Sequence, residues 1–486
     1  MRSIGTPRRK GRVIPRARRA DEVVAFAEEV RDSPRPVNSL ACALVLCVAF
    51  SLRASCEVAV PPLAFTDRTL PNGLRVIALE DHTAPTAAVQ VWYRVGSKDD
   101  PAERSGFAHL FEHMMFKSTK RMPAETLDRL TEDVGGENNA FTQDDVTVYH
   151  ETVPANHLQR LIWAEAERLA SLQVDDANFH TERDVVKEEF RQSVLAQPYG
   201  EFGEWIQKMS FTAHPYKRPT IGNIEELDAS SLAEVQSFHA TFYRPDNAVL
   251  VVAGDFDAAD LQRWVDETFG ALPKPETPIP RVTVKEPPRT GERTLRDYSA
   301  KIPLPAFAVT FLGPPIASDE AAALAVLQQA LGGGESSRLH QSLVYERQLA
   351  QSAEFSADLR ADLGLLTFNI VLASGVDLGK ARAALLDEVK KLIAAPITGA
   401  ELNTAKNQLR AARLLERETA DGKAAAIGEA AAIRGDPALV NTDFAKLDAV
   451  TAEQVQEAAK KWFTDDNRLV LEYLPASMAP KGKAKK

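Results

Sequence analysis

Part of this chain is written twice, and that restricts its fold more than any other feature. "EVQSFHATFYRPDNAVLVV" (234–252) lies without a gap on "QVQEAAKKWFTDDNRLVLE" (454–472), pairing Val235 with Val455, Asp246 with Asp466 and Asn247 with Asn467 at a constant offset. The same offset lays "AAVQV" (87–91) on "FAVTF" (307–311). Solenoid units repeat every ~20–50 residues, so a period several times longer describes two domains of one kind. A chain of 486 residues can bury two such cores.

Each copy mixes strand and helix signals. "TLPNGLRVIAL" (69–79) reads as strand–turn–strand around Asn72-Gly73. "TAAVQVWYRVGS" (86–97) alternates as a half-buried strand, and "NAVLVVAGDF" (247–256) is a continuous apolar run of a buried one. Helical patterns fill the space between, to about residue 240. "LPKPETPIPRVTVKEPPRTG" (272–291) holds six prolines and few large apolar residues, the composition of a linker. The expected division is an N-terminal arm with a signal or anchor segment (1–60), a first α+β domain (61–271), the linker (272–291), a second domain of the same build (292–476) and a basic tail (477–486). The fold class is α+β, two homologous α/β rolls in tandem, each an antiparallel sheet packed with helices.

The net charge is −10, and the basic residues crowd into the first 56, so the body is more acidic still. Phosphate contacts need clustered Lys and Arg, which excludes a nucleic-acid binder. The three cysteines, Cys42, Cys47 and Cys56, flank or lie within "SLACALVLCVAFSL" (39–52), a charge-free stretch preceded by Arg31 and Arg35. Its length suits the apolar core of a signal peptide better than a transmembrane helix of about 20 residues. The expectation is export, to the periplasm, with an uncleaved anchor over 39–52 as the alternative.

The chemistry concentrates in "GFAHLFEHMMFKST" (106–119). At 100° per residue, Phe107, Leu110, Phe111, Met114 and Met115 fill one arc of a helix, while His109 and His113 share the other with Glu112 between them. Histidines at i and i+4 can both reach one Zn²⁺ at about 2.0–2.1 Å, leaving the carboxylate free to activate water. An HxxxH pair alone is usually structural, but a carboxylate beside two buried imidazoles is costly without a cation. A catalytic zinc needs a third protein ligand. In "HTERDVVKEEFRQSVL" (180–195), Glu182, Val185, Val186 and Glu189 form one i, i+3, i+4, i+7 stripe, with Glu188 turned outward. Shifted by the offset of the repeat, the His109–His113 segment falls on "QALGG" (329–333), which has no metal ligand. One copy is chemically equipped and the other is not.

HxxEH at His109–His113, followed well downstream by Glu189, resembles the inverzincin peptidases: pitrilysin, insulin-degrading enzyme and mitochondrial processing peptidase. "GGENNAFTQDDVTVYH" (135–150), "ERDVVKEEF" (182–190), "HPYKRPTIG" (214–222) and "FYRPDNAVLVVAGDF" (242–256) extend the likeness from about Leu70 to Pro475. The resemblance implies a zinc peptidase acting on unfolded or short peptides. His109, His113 and Glu189 would be zinc ligands, Glu112 the general base and Glu182 the carboxylate that orients a ligand. Asn139 and Ala140 would offer main-chain contacts to a substrate strand. Arg338 and Tyr345, in "LGGGESSRLHQSLVYERQLAQSAEF" (331–355), read as a helix that places them two turns apart on one face. The resemblance has this pair reach across to substrate and support the oxyanion. In the family four such domains close a chamber, which implies a homodimer here, or a heterodimer with a homologous subunit. The competing expectation is a non-catalytic scaffold or partner subunit that binds peptides or assembles with an active homologue.

Overall fold

The structure, a computed structural model, describes residues 60–480. The 39–52 segment and the three cysteines lie outside the described residues.

The first half contributes β1 (Thr66–Thr69), β2 (Arg75–Glu80), β3 (Thr86–Tyr93), β4 (Glu137–Thr142), β5 (Thr147–Pro154) and β6 (Ala248–Gly254), in the sheet order β1-β2-β6-β3-β5-β4. The second contributes β7 (Arg293–Ser299), β8 (Ala306–Gly313), β9 (Ala350–Asp358), β10 (Gly364–Leu372) and β11 (Leu469–Pro475), in the order β7-β11-β8-β10-β9. Apart from the extra edge strand β1, the two orders are the same. Both sheets are antiparallel but for one parallel pair each, β2 with β6 and β7 with β11. Each of those pairs joins strands far apart in the sequence, with three strands and several helices between them, so no tight hairpin links the parallel neighbours.

The principal helices of the first half are α1 (Phe107–Met114), α2 (Leu158–Ser171), α3 (Asp176–Phe190), α4 (Gly200–Ser210) and α5 (Leu232–Phe242). Those of the second are α6 (Ala321–Gly332), α7 (Leu378–Ala394), α8 (Gly399–Glu416), α9 (Ala420–Ala432) and α10 (Ala452–Trp462). The starts of α2, α4 and α5 precede those of α7, α9 and α10 by the same offset that aligns the sequences, and β3 and β8 match at both ends. The duplication is thus expressed element by element.

Each sheet has two apolar faces. On one side of the first, Val89, Val91, Tyr149 and Leu250 pack against Phe107, Phe111, Leu161 and Phe238 of the same half. Its other face, with Ala88, Trp92, Val148, Val249 and Val251, is covered by Ala424, Ile427, Ala430 and Ala431 of α9 from the second half. The second sheet is treated in return. Phe307, Phe311 and Phe368 meet their own helices, while Ala306, Ala308, Leu471 and Tyr473 are covered by Phe202 and Ile206 of α4 from the first half. Equivalent helices are therefore exchanged, and the described residues from Pro62 onward form one compact unit.

This exchange corrects the reading of 86–97 as half-buried. Every residue of β3 after Thr86 is buried, because α9 occupies the face that alternation assigned to water. Contact is close at Gly428, where an added Cβ would stand 2.2 Å from the Trp92 Nε1. The Trp92 Nε1 donates to Gln90 Oε1 (2.9 Å), and Gln90 Nε2 donates to Asp421 Oδ1 at the start of α9 (2.6 Å).

The proline-rich segment 272–291 has no regular secondary structure, yet it is pinned. Arg289 donates to the carbonyls of Thr310 (2.7 Å), Asn467 (2.9 Å) and Ser210 (2.8 Å). Glu286 accepts the backbone N–H groups of Thr212 (2.6 Å), Ala213 (2.9 Å) and His214 (2.7 Å). It is a fixed strap between the halves. Among the described residues no helix is long and apolar enough to cross a membrane.

Candidate metal centre

Helix α1 is anchored at both ends. Gly106 takes φ 96°, and a Cβ there would meet the Ile221 carbonyl oxygen at 2.9 Å, so glycine alone fits. Asp100 caps the first turn, accepting the N–H of Gly106 (2.7 Å) and of Ala108 (2.9 Å). Phe107, Leu110, Phe111 and Met114 face the core, and the Tyr149 hydroxyl of β5 donates to the Phe111 carbonyl (2.8 Å). His109, Glu112 and His113 then look toward α3, whose N-cap Asp175 accepts the Asn178 N–H (2.9 Å).

On α3, Glu182 and Val186 are buried, Glu189 is partly open and Glu188 is exposed. Val185 is 45% exposed, so the stripe expected from i+3 spacing is narrower than predicted. Glu189 Oε2 lies 3.2 Å from His113 Nε2 and 3.6 Å from His109 Nε2. All three ligand atoms fall within 4.8 Å of one another. Donors bound tetrahedrally at 2.0–2.2 Å sit roughly 3.3–3.6 Å apart, so the spacing suits one small divalent ion.

The electrostatics agree. Burial, reinforced by His113, depresses the His109 imidazole to about 4, which leaves it neutral and able to ligate. Its Nδ1 is buried without a hydrogen-bond partner, and its Nε2 is too far from Glu189 for a hydrogen bond. A buried ring with neither nitrogen paired calls for another partner. The hydrogen bond from His113 holds the Glu189 carboxyl below its ordinary value. Behind this group, Glu182 Oε2 stands 3.8 Å from His113 Nδ1 while its Oε1 pairs with Lys117 Nζ at 2.7 Å. Glu112 accepts from Thr142 Oγ1 (2.7 Å), and burial raises its carboxyl.

Thr142 ends β4, the outer strand of its sheet. Asn139 and Ala140 lie on this strand, and the Ala140 N–H is taken by the neighbouring Asn139 Oδ1 (2.8 Å) rather than by β5. That amide faces the open edge, closed for now by a side chain that can rotate away.

Arg338 and Tyr345 are placed differently from the helical reading. Helix α6 stops at Gly332, and His340–Glu346 is a π-helical turn, so an i+7 spacing no longer makes two α-turns. Arg338 is clamped by Glu401, Nη2 to Oε2 at 2.9 Å with Nε on the other oxygen. Tyr345 is 71% exposed. Neither is hydrogen-bonded or ion-paired to His109, Glu112, His113 or Glu189 within the chain.

Two contributors escaped the sequence reading. Lys117 stands at i+4 from His113, just beyond the end of α1, and that spacing was its available signal. Thr142 was marked only by standing at i+2 from Ala140, on the same side of the strand.

Residues 75–224 match the family model described as "Insulinase (Peptidase family M16)", and residues 230–409 match "Peptidase M16 inactive domain". Zinc protease PqqE of Helicobacter pylori is 33% identical over 348 residues, covering 70% of this chain and 77% of its own. The chain belongs to peptidase family M16. Within that family it is also similar to a probable mitochondrial-processing peptidase subunit beta of Arabidopsis thaliana, 29% identical over 407 residues, covering 82% of this chain and 76% of the relative. The crystal structure of a protease from Helicobacter pylori superimposes with a TM-score of 0.82 at 26% identity, covering 85% of this chain and all of that one. The M16 chain thus has the family's fold of two homologous domains. The "inactive domain" match falls mainly on the half that lacks His109, Glu112, His113 and Glu189.

Proposed function

We propose that this M16 chain is a zinc metalloendopeptidase that hydrolyses peptide bonds in unfolded or short peptides. The observation that carries the reading is the meeting of His109, His113 and Glu189 beside Glu112, at the end of an open strand edge. His109, His113 and Glu189 would hold the ion, and Glu182 would steady His113 from behind. Bound there, Zn²⁺ would polarise the scissile carbonyl and lower the pKa of a water toward about 7.

The remaining steps belong to the protein. A peptide laid along β4 would take the Ala140 N–H from Asn139 and present its backbone beside the ligands. Glu112, oriented by Thr142, would accept the proton of the attacking water and return it to the leaving amine. Main-chain pairing makes few demands on sequence but requires an extended strand, which favours unfolded or short substrates. Arg338 and Tyr345 do not reach these atoms within one chain, and the exposed Tyr345 is available to another. That supports a homodimer in which each copy lends the pair to its partner, or a heterodimer with a homologous subunit. The 39–52 stretch supports export to the periplasm.

Glu112→Gln tests the reading. It should keep stoichiometric zinc and lose about 10²–10⁴-fold in cleavage of an unstructured peptide. Unchanged cleavage would refute the base assignment. A wild-type chain that binds zinc and peptide yet never cleaves would instead be a scaffold.

A further inference from the structure

A cleft of about 1070 Å³ opens between the halves. One wall is α4 and the segment that follows it; the other is formed by residues 297–301 and Tyr473 of the second half. None of His109, Glu112, His113 or Glu189 lines it. Its volume is that of a site for a small organic molecule.

Two features define what would fit. Glu204 of α4 lines the cleft half-buried, with no hydrogen bond or ion pair among the described residues. Burial alone pushes its carboxyl up to about 7, the mark of an acid lacking a counter-charge. The next residue, Trp205, belongs to an aromatic wall, its ring centroid 6.2 Å from those of Phe202 and Tyr473. Phe202 and Tyr473 are themselves stacked at 4.9 Å, which holds the wall in place. Of the ionic groups nearby, Lys301 pairs with Glu201 (2.8 Å) and donates to the Leu195 carbonyl (3.0 Å), and Glu226 accepts from the Ser105 N–H (2.6 Å) and hydroxyl (2.7 Å). Lys208, one turn beyond Glu204, lines the cleft without closing on it.

We propose that this cleft binds an organic ammonium ion with an apolar or aromatic body, Glu204 supplying the opposing charge and Trp205 the face against which the cation rests. A half-buried carboxylate and an aromatic face both favour a cation, and an apolar body displaces water from the remaining wall. The ammonium can belong to a free amine or to the amino terminus of a peptide. Because the two walls come from different halves, the occupant would bridge them.

The test titrates 2-phenylethylamine into the full chain by calorimetry, with 2-phenylethanol as the uncharged counterpart. Saturable binding of the amine, at least 10-fold weaker for the alcohol and for Glu204→Gln, is the expected result. Glu204→Asp should bind with intermediate affinity. Glu112→Gln should bind like the wild type, which separates this site from the hydrolytic one. Lys208→Met should bind equally or more tightly. Competition by a phenylalanine-led peptide that is lost on N-acetylation would identify a peptide terminus as the source; failure of both forms to compete would identify a small amine. No binding, equal binding of the alcohol, equal binding by Glu204→Gln with an unchanged melting temperature, or loss of binding in Lys208→Met overturns the proposal.

Discussion

Thr142 sits where the proposed substrate edge and the proposed general base meet. Its hydroxyl holds Glu112 at 2.7 Å from the end of the strand edge proposed to receive a peptide. Thr142→Val keeps the strand propensity and removes the hydroxyl. The expected result is unchanged zinc content with kcat lowered about 10-fold, the loss of one hydrogen bond to a charged group. Equal kcat in both forms would show that Glu112 needs no such support. His109→Ala should instead abolish stoichiometric zinc, measured by elemental analysis, because the remaining His113 and Glu189 leave the set one ligand short. The histidines and Glu189 were legible as residues, since helical spacing and an acid in a partly apolar stripe are local signals. Thr142 and Lys117 were not, because their roles depend on which strand and helix lie opposite.

At the scale of elements, two hairpins are clasped. Asp362, between β9 and β10, lies 3.0 Å from Lys98 Nζ and 3.5 Å from His214 Nε2. Tyr216 OH donates to Asp145, between β4 and β5, at 2.7 Å. His214, with Lys98, depresses the Asp362 carboxyl to about 2. An acid depressed below its ordinary value of about 3.9 stabilises the fold above that value and loses the contribution as pH falls toward its folded pKa. The wild-type chain should therefore melt higher than Asp362→Asn at pH 5, with the difference shrinking from about pH 4 to about pH 2. A difference independent of pH would sink the assignment. Helix α9 offers a steric counterpart. Gly428→Ala gains helix propensity but drives a Cβ into the hydrogen-bonded Trp92. Overpacking should prevail, destabilising the chain by about 1–2 kcal/mol in denaturant melts. Sequence periodicity showed β3, β6 and the helices carrying His109 and Glu189, but it read 331–355 as helix through to its end, where β9 in fact begins at Ala350. It could not show the π-helical turn over His340–Glu346, where the i+7 spacing of Arg338 and Tyr345 was read as α-helical.

At the scale of the whole molecule, duplication and exchange pull in different directions. The constant offset between the copies suggests two units that could fold apart, and element by element they do match. Yet each sheet presents an apolar face that the other half covers, by α9 in one direction and α4 in the other. That exchange was invisible in the sequence because α4 and α9 carry the apolar patterns of ordinary core helices, and pattern does not say whose core. Its consequence is that neither half should stand alone. Residues 60–291 produced by themselves would expose Ala88, Trp92, Val148, Val249 and Val251 on one continuous sheet face, a patch of the kind that drives aggregation. Such a fragment should be recovered insoluble or bind a hydrophobic dye strongly. Co-production with residues 292–480 should return a soluble complex that keeps zinc. A monomeric, dye-silent first half with a sharp melting transition would show instead that α9 is an ornament on a self-sufficient domain.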